Sequence, residues 1–392
     1  MRIGFFTNTY LPLMYGSTTS IENFRKGLEK LGHEVYIFAP RYKGYQHKGE
    51  KIILYPSVMY GYKVKYPLPF SWCPKIHKKA SEIGLDIVHS HHPFSIGRDG
   101  LRISKKLDVP IVFTHHARYD DYSHYILPII PGQIIRYYIR TTVKRFANEC
   151  DKVIAPSESI KKYVKKRGIT SPVDVVSTGI EWERFQKGKC DKVRERYSIS
   201  EDEKILLYLG RIDKEKDLIF LSDAVFSLMR KNKTINLMFV GEGSLIGEIK
   251  ASALKYDVRD RVIFTGLIDQ SEVQNYYAAA DMFVHASRTE TQGMTITEAM
   301  ASGLPIVAVE GTGVSDQIEN GRTGILTPFN KKIFARQIQL LINDSEKRER
   351  LGSNARLQAK KMSYIKQAKI LEGIYIEEIE KNRNKRFASQ YQ

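Results

Sequence analysis

The sequence predicts an α/β protein made of two Rossmann-like domains that face each other across a central cleft. Three observations predict it. Short apolar runs alternate with amphipathic stretches, the pattern of parallel strands joined by helices. The alternation stops in a charged segment, EWERFQKGKCDKVRERYSISEDE (181–203), and then restarts. Histidines and glycine-rich turns collect where the apolar runs end, and ligands bind at the carboxyl ends of strands in such sheets.

In the first half, RIGFFTN (2–8) reads as a short buried strand, TYLPLMYGSTTS (9–20) as a loop, and IENFRKGLEKLG (21–32) as a helix with a glycine stop. HEVYIFAP (33–40), LDIVHSHHP (85–93), VPIVFTHHA (109–117), CDKVIAPS (150–157) and VDVVSTG (173–179) are the further strands. In the second half, KILLYLGR (204–211) is a strand followed by a helix to about residue 230. INLMFVGEG (235–243), RVIFTG (261–266), DMFVHAS (281–287), PIVAVE (305–310) and TGILTP (323–328) continue the series. Beyond residue 335 the chain reads as polar helices, and the last residues, RNKRFASQYQ (383–392), read as a frayed end. The expected organisation is a first domain over 1–185, a second over 186–360, and a helix and tail over 361–392 packing back on the first domain.

Hydrophobic residues at 42% and charged residues at 27% describe a soluble globular chain, and 392 residues suffice for two cores. Cys73, Cys150 and Cys190 make no disulfide or metal pattern, which fits a reducing, cytoplasmic compartment. MRIGFFTNTY turns polar too soon for a signal peptide, and no apolar run approaches the roughly 18 residues of a spanning helix. Of the net charge of +18, residues 1–180 carry +14, from 28 Lys and Arg against 14 Asp and Glu. Such a half fits nucleic acid, acidic lipid or a phosphorylated ligand. No nucleic-acid-binding module accompanies the charge, so no specific nucleic acid is expected.

RTETQGMTITEAMASGLPIVA (288–308) places Glu290 and Glu298 eight positions apart in an otherwise apolar stretch. Arg211, just after a strand, and Lys216 suit a diphosphate, the first as a fork and the second as a point charge. VGEGS (240–244) is a turn carrying Gly241 and Gly243. Gly293 allows close backbone approach, and Met294 and Thr295 follow it into a helix whose first-turn amides face an anion. Glu298, early on that helix, is suited to accept two ribose hydroxyls, and Glu290 to meet a sugar hydroxyl. The histidines His89, His91, His92, His115 and His116 have no acidic or cysteine partner at metal-ligand spacing. They read as substrate contacts at strand ends, and no metal is expected.

With these residues the chain resembles the retaining glycosyltransferases of the GT-B fold, whose hallmark is a pair of glutamates separated by seven residues. The resemblance implies that Glu290 lies near the reacting sugar and Glu298 holds the nucleotide ribose. It implies that Arg211 and Lys216 bind the donor diphosphate and that Gly16, in PLMYGSTTS, approaches it. The family often has phenylalanine where this chain has Gln292, so contacts around the sugar differ there. The family's T-x-H segment matches Thr114, His115 and His116, which makes His116 the histidine near the transferred sugar. His115 then points to the other face, because strand neighbours alternate. A nucleotide-sugar donor, a UDP-sugar, is implied, with no further cofactor. Glu290 as the nucleophile of a double displacement and front-face attack assisted by the leaving phosphate both stay open.

YILPIIPGQIIRYYIRTTVKRFANEC (125–150) interleaves Ile126, Leu127, Ile129, Ile130, Ile134, Ile135, Tyr137, Tyr138 and Ile139 with Arg136, Arg140, Lys144 and Arg145. Arg136, Arg140 and Lys144 recur every four positions, near one helix face. KKYVKKRG (161–168) adds Lys161, Lys162, Lys165 and Lys166. Apolar side chains among cations favour an anionic membrane surface; a core helix with solvated charges reads the same way. This segment and THHARYDDYSHY (114–125) resemble bacterial diacylglycerol glucosyltransferases. That resemblance implies peripheral association with the inner face of the cell membrane and transfer of glucose from UDP-glucose to diacylglycerol. Phosphatidylinositol, a soluble acceptor, or a non-catalytic protein binding an anionic ligand or nucleic acid are the alternatives.

Overall fold

The computed structural model describes all residues except Met14, Lys48, 61–65, 71–72, 120–131 and 391–392. It divides into two compact units, Met1–Gly179 with Tyr364–Gln392, and Ile180–Ser363.

The first unit runs β1 (Arg2–Phe6), α1 (Gly16–Lys30), β2 (Glu34–Pro40), β3 (Ile52–Tyr55), β4 (Ser57–Tyr60), β5 (Tyr66–Pro69), α2 (Pro74–Ile83), β6 (Ile87–Ser90), α3 (Ile96–Leu107), β7 (Ile111–Thr114), α4 (Gly132–Asn148), β8 (Lys152–Ala155), α5 (Glu158–Lys166) and β9 (Val173–Val175). Seven strands form a parallel sheet in the order β3-β2-β1-β6-β7-β8-β9, and β4-β5 is a separate antiparallel pair. Side chains of β1 alternate between two cores. Ile3 and Phe5 pack with Ile21, Phe24 and Leu28 of α1, while Phe6 stacks on Phe38 at 4.2 Å on the other face. Burial on both faces is why these strands read as continuous apolar runs.

The second unit runs α6 (Trp182–Phe185), α7 (Cys190–Arg196), β10 (Lys204–Leu209), α8 (Leu218–Met229), β11 (Ile235–Val240), α9 (Ile246–Lys255), β12 (Val262–Phe264), α10 (Val273–Ala279), β13 (Met282–His285), α11 (Met294–Ala301), β14 (Ile306–Val309), β15 (Ile325–Thr327), α12 (Lys331–Ile342) and α13 (Ser345–Lys361). Its sheet is parallel throughout, ordered β12-β11-β10-β13-β14-β15. The last helix, α14 (Tyr364–Gln390), belongs to the first unit. There Ala368, Leu371 and Tyr375 join the core of α1, and a Cβ on Gly27 would lie 2.5 Å from that of Ala368.

Four sequence expectations shift. The chain leaves the first unit after Gly179, not 185, because Trp182 donates to the Arg356 carbonyl and Phe185 meets Tyr277 inside the second unit. It returns at Tyr364, not 361, after a break at Met362–Ser363 between α13 and α14. Helix α1 begins at Gly16, inside the expected loop, because Thr18 and Ser20 are buried and extend its inner face. Residues 383–390 are helical rather than frayed: Asn382 donates to the Asp108 carbonyl and Arg386 pairs with the Asp108 carboxylate.

Candidate active site

In each sheet the strand order reverses once, between β1 and β6 and between β10 and β13. The loops leaving these strands splay apart there and open a crevice. Both clusters of candidate residues lie at these points.

In the second unit, β10 leads into Gly210 and Arg211, and β13 ends at His285, five residues before Glu290. Lys216 donates to Glu290 Oε1 at 2.6 Å, and both side chains are largely buried, 17% and 16% exposed. Burial alone would raise the Glu290 carboxyl; the Lys216 ammonium and its hydrogen bond outweigh it and hold the group at about 2. Nε2 of His285 lies 3.7 Å from the same Oε1, and burial pushes this imidazole down to about 4, so it is neutral. Arg211 is more exposed and forks to Asp213, at 3.1 Å, and to Glu215.

Gly241 and Gly243 support this loop from behind. A Cβ on Gly241 would come within 2.1 Å of the Gly210 carbonyl, and one on Gly243 within 2.3 Å of the Ile212 carbonyl. Close backbone packing under Arg211 therefore accounts for both glycines without a ligand. Gly293, at φ +84°, precedes the first residue of α11, and Met294 and Thr295 open that helix. The loop before it is laced down by Gln317, whose Nε2 donates to the Gln292 and Gly293 carbonyls and whose Oε1 accepts from Thr297.

Glu298 is the fifth of the eight residues of α11, so it stands in the second turn rather than at the dipole end. Tyr277 donates to its Oε2 at 2.8 Å. Burial dominates here and lifts the carboxyl to about 7, against the opposing pull of Tyr277 and Arg184. Two glutamates eight positions apart thus have opposite electrostatics because, among the described residues, only Glu290 has a cation in contact.

In the first unit, β1, β6 and β7 end side by side. Nδ1 of His91 lies 2.9 Å from Nε2 of His116. His89 is bonded to Thr114 Oγ1 and the Tyr375 hydroxyl. The Asn8 backbone N–H donates to Nδ1 of His92 at 3.2 Å, which leaves the proton of that ring on Nε2. Burial is the main force lowering all four, His89 to about 3, His92 to about 4, and His91 and His116 well below the ordinary range. His115 is buried against Phe113, Tyr119 and Tyr163, away from His116, as alternation along the chain requires. A Cβ on Gly16 would meet nothing within 4 Å, so packing gives no reason for glycine there.

Helix α4 buries Ile135, Ile139, Val143 and Phe146. It exposes Arg136, Arg140, Lys144 and Arg145, together with Ile134, Tyr137 and Tyr138 at 60%, 73% and 61%. On α5, Lys162, Lys165 and Lys166 are exposed and Lys161 is half-buried. Ile126, Leu127, Ile129 and Ile130 lie outside the described residues. Among the described residues no helix is long and apolar enough to cross a membrane.

His285, Tyr277 and Gln317 escaped sequence reasoning. The histidine within DMFVHAS is the one signal that was present, since it repeats the strand-end histidines of the first half. Gln317 and Tyr277 carry no local signal, because their partners lie about twenty residues or more away.

Residues 190–358 match the family described as Glycosyl transferases group 1, and residues 14–184 match Glycosyltransferase Family 4. The chain is 34% identical over 333 residues to the alpha-monoglucosyldiacylglycerol synthase of Streptococcus pneumoniae, covering 83% of this chain and 75% of that protein. It is 30% identical over 407 residues to the enzyme of the same name from Acholeplasma laidlawii, covering 98% and 99%. The crystal structure of Anabaena HepE in complex with UDP superposes with a TM-score of 0.75 at 18% identity, covering 95% of this chain and 99% of that one, which is a likeness of fold.

Proposed function

The chain belongs to the group 1 glycosyltransferases of the GT-B fold, and from that premise we propose that it transfers glucose from UDP-glucose to diacylglycerol at a membrane surface, with retention of configuration. The observation that carries the donor half is the Lys216–Glu290 pair at the strand-order reversal of the second sheet. A diphosphate competes with a single carboxylate for the Lys216 ammonium. Moving Lys216 to the phosphates releases Glu290, still ionised, to accept from a sugar hydroxyl. Glu298 takes the ribose hydroxyls, and Arg211 adds charge for the growing negative charge on the leaving UDP.

We take the front-face route, in which Glu290 accepts from a sugar hydroxyl and forms no bond to the anomeric carbon. In that route the bond from the anomeric carbon to the phosphate oxygen breaks and the bond to the acceptor oxygen forms on the same face. The acceptor's proton passes to the departing phosphate. His116, uncharged, serves as a hydrogen-bonding contact to the sugar. The acceptor half rests on the two synthases of that name and on α4, whose exposed Tyr137, Tyr138 and Ile134 sit among cations. That arrangement suits peripheral binding to anionic lipid at the inner face of the cell membrane.

The test is a transfer screen. UDP-glucose, UDP-galactose and GDP-mannose are each incubated with the protein and vesicles containing diacylglycerol, and products are read by mass spectrometry. Glucosyl-diacylglycerol from UDP-glucose alone is expected. Donor hydrolysis without glycolipid would remove the acceptor, and glycolipid from another donor would replace the sugar.

A further inference from the structure

His91 and His116 are joined by one hydrogen bond at 2.9 Å, and one proton lies in it. Both rings are uncharged near neutral pH, since burial and the neighbouring imidazoles disfavour their charged forms. A neutral imidazole carries a single N–H, so two arrangements fit. In the first, His91 donates from Nδ1, its Nε2 is a bare lone pair, and His116 carries its own proton on Nδ1. In the second, His116 donates from Nε2, and the proton of His91 must sit on its Nε2.

Nε2 of His91 is buried and has no hydrogen-bond partner among the described residues. Besides His116, the rings packed on His91 are those of His89 and Phe5, and both nitrogens of His89 are engaged by Thr114 and Tyr375. The second arrangement therefore strands a buried N–H, whereas the first strands only a lone pair. Orphaned N–H groups are the rarer of the two in folded proteins.

We infer that His91 is a positioning residue that fixes His116 in its Nδ1–H tautomer, so that His116 offers a hydrogen bond to an oxygen of the transferred hexose. The consequence for the sugar rests on the function proposed above. It assigns His116 a donor's role rather than that of a base toward the acceptor hydroxyl, whose proton leaves with the phosphate.

Long-range proton–nitrogen NMR on the full-length protein with nitrogen-15 histidine reads the tautomer directly. His116 is identified by the signals lost in His116→Gln. A protonated Nδ1 and an unprotonated Nε2 are expected, and the reverse in the wild-type protein overturns the inference. His91→Asn places an amide donor where Nδ1 stood; it should keep the tautomer and keep kcat with UDP-glucose and diacylglycerol vesicles within about threefold. His91→Asp offers only acceptor oxygens in the same volume. It should move the proton to Nε2 and lower kcat about tenfold, the size of one hydrogen bond, with KM for UDP-glucose within about twofold. Equal losses in the Asn and Asp variants would reduce His91 to packing and defeat the positioning role. A tautomer that switches in His91→Asp while kcat holds would instead defeat the sugar-contact reading of His116.

Discussion

The two sheets place their candidate residues at the same topological position and treat charge in opposite ways. Beyond β13, Glu290 stays ionised in a largely buried site because Lys216 is in contact with it. Beyond β6 and β7, His91 is buried and His116 half-buried, and desolvation together with the neighbouring imidazoles keeps both neutral. Burial is similar and the outcome differs, because desolvation disfavours any charge and only a close counter-charge reverses it. One site holds an ion pair between Lys216 and Glu290. The other holds a hydrogen bond between two uncharged imidazoles.

Lys216→Met should break that contrast most strongly. It removes the cation and leaves Glu290 without its compensating charge, and loss of one charge-stabilising donor costs about 100- to 1,000-fold in turnover. UDP release from UDP-glucose measures it, and turnover near wild type would remove the second sheet's site from the chemistry. Replacing Arg136, Arg140, Lys144 and Arg145 together by Ser should lower partition to anionic vesicles by up to about 1,000-fold at low salt, since each of these cations near such a surface contributes about 1 kcal/mol. Unaltered sedimentation with vesicles would leave the α4 charges as solvated surface.

Glu298→Ala should weaken UDP binding by about 30-fold, the size of hydrogen bonds to a charged acceptor. His116→Ala should leave the UDP affinity within about twofold and lower turnover about tenfold, as one neutral hydrogen bond does. Calorimetry with UDP separates the two, and equal loss of affinity in both would end the division of labour between the units.

The smallest effect is on stability. Glu290 has a folded value of about 2, below its ordinary 4.5, so its contribution is present above 4.5 and lost as pH falls toward 2. Glu298 is raised to about 7, so the fold binds its proton more tightly than the unfolded chain does. That contribution is present below 4.5 and fades as pH rises toward 7. Thermal melts should therefore show Glu298→Gln gaining on the wild type between pH 5 and pH 8, and a constant difference would contradict the burial of that carboxyl.

The strands of both sheets were legible because parallel strands buried on two faces must be apolar throughout. The region 51–83 was not, since IILY, SVMY and YPLP are short and proline-bounded. The start of α1 was missed because small polar residues such as Thr18 and Ser20 lie on its buried face. In the candidate site, Arg211, Lys216, Glu290, Gly293, Glu298 and His116 announced themselves by residue type beside strand ends. Gly241 and Gly243 did so too, although the structure gives them a packing reason.

Residue order by itself determined the two α/β repeats, the helix at the end of the chain, the excess of positive charge in the first 180 residues and the paired glutamates, because each is written within a few tens of consecutive residues. Tertiary structure alone decided that Lys216 meets Glu290 across 74 positions, that Tyr277 holds Glu298, and that His91 meets His116. The ionisation of these groups depends on the distance to a counter-charge and the depth of burial, and both are fixed only when distant strands close into a sheet.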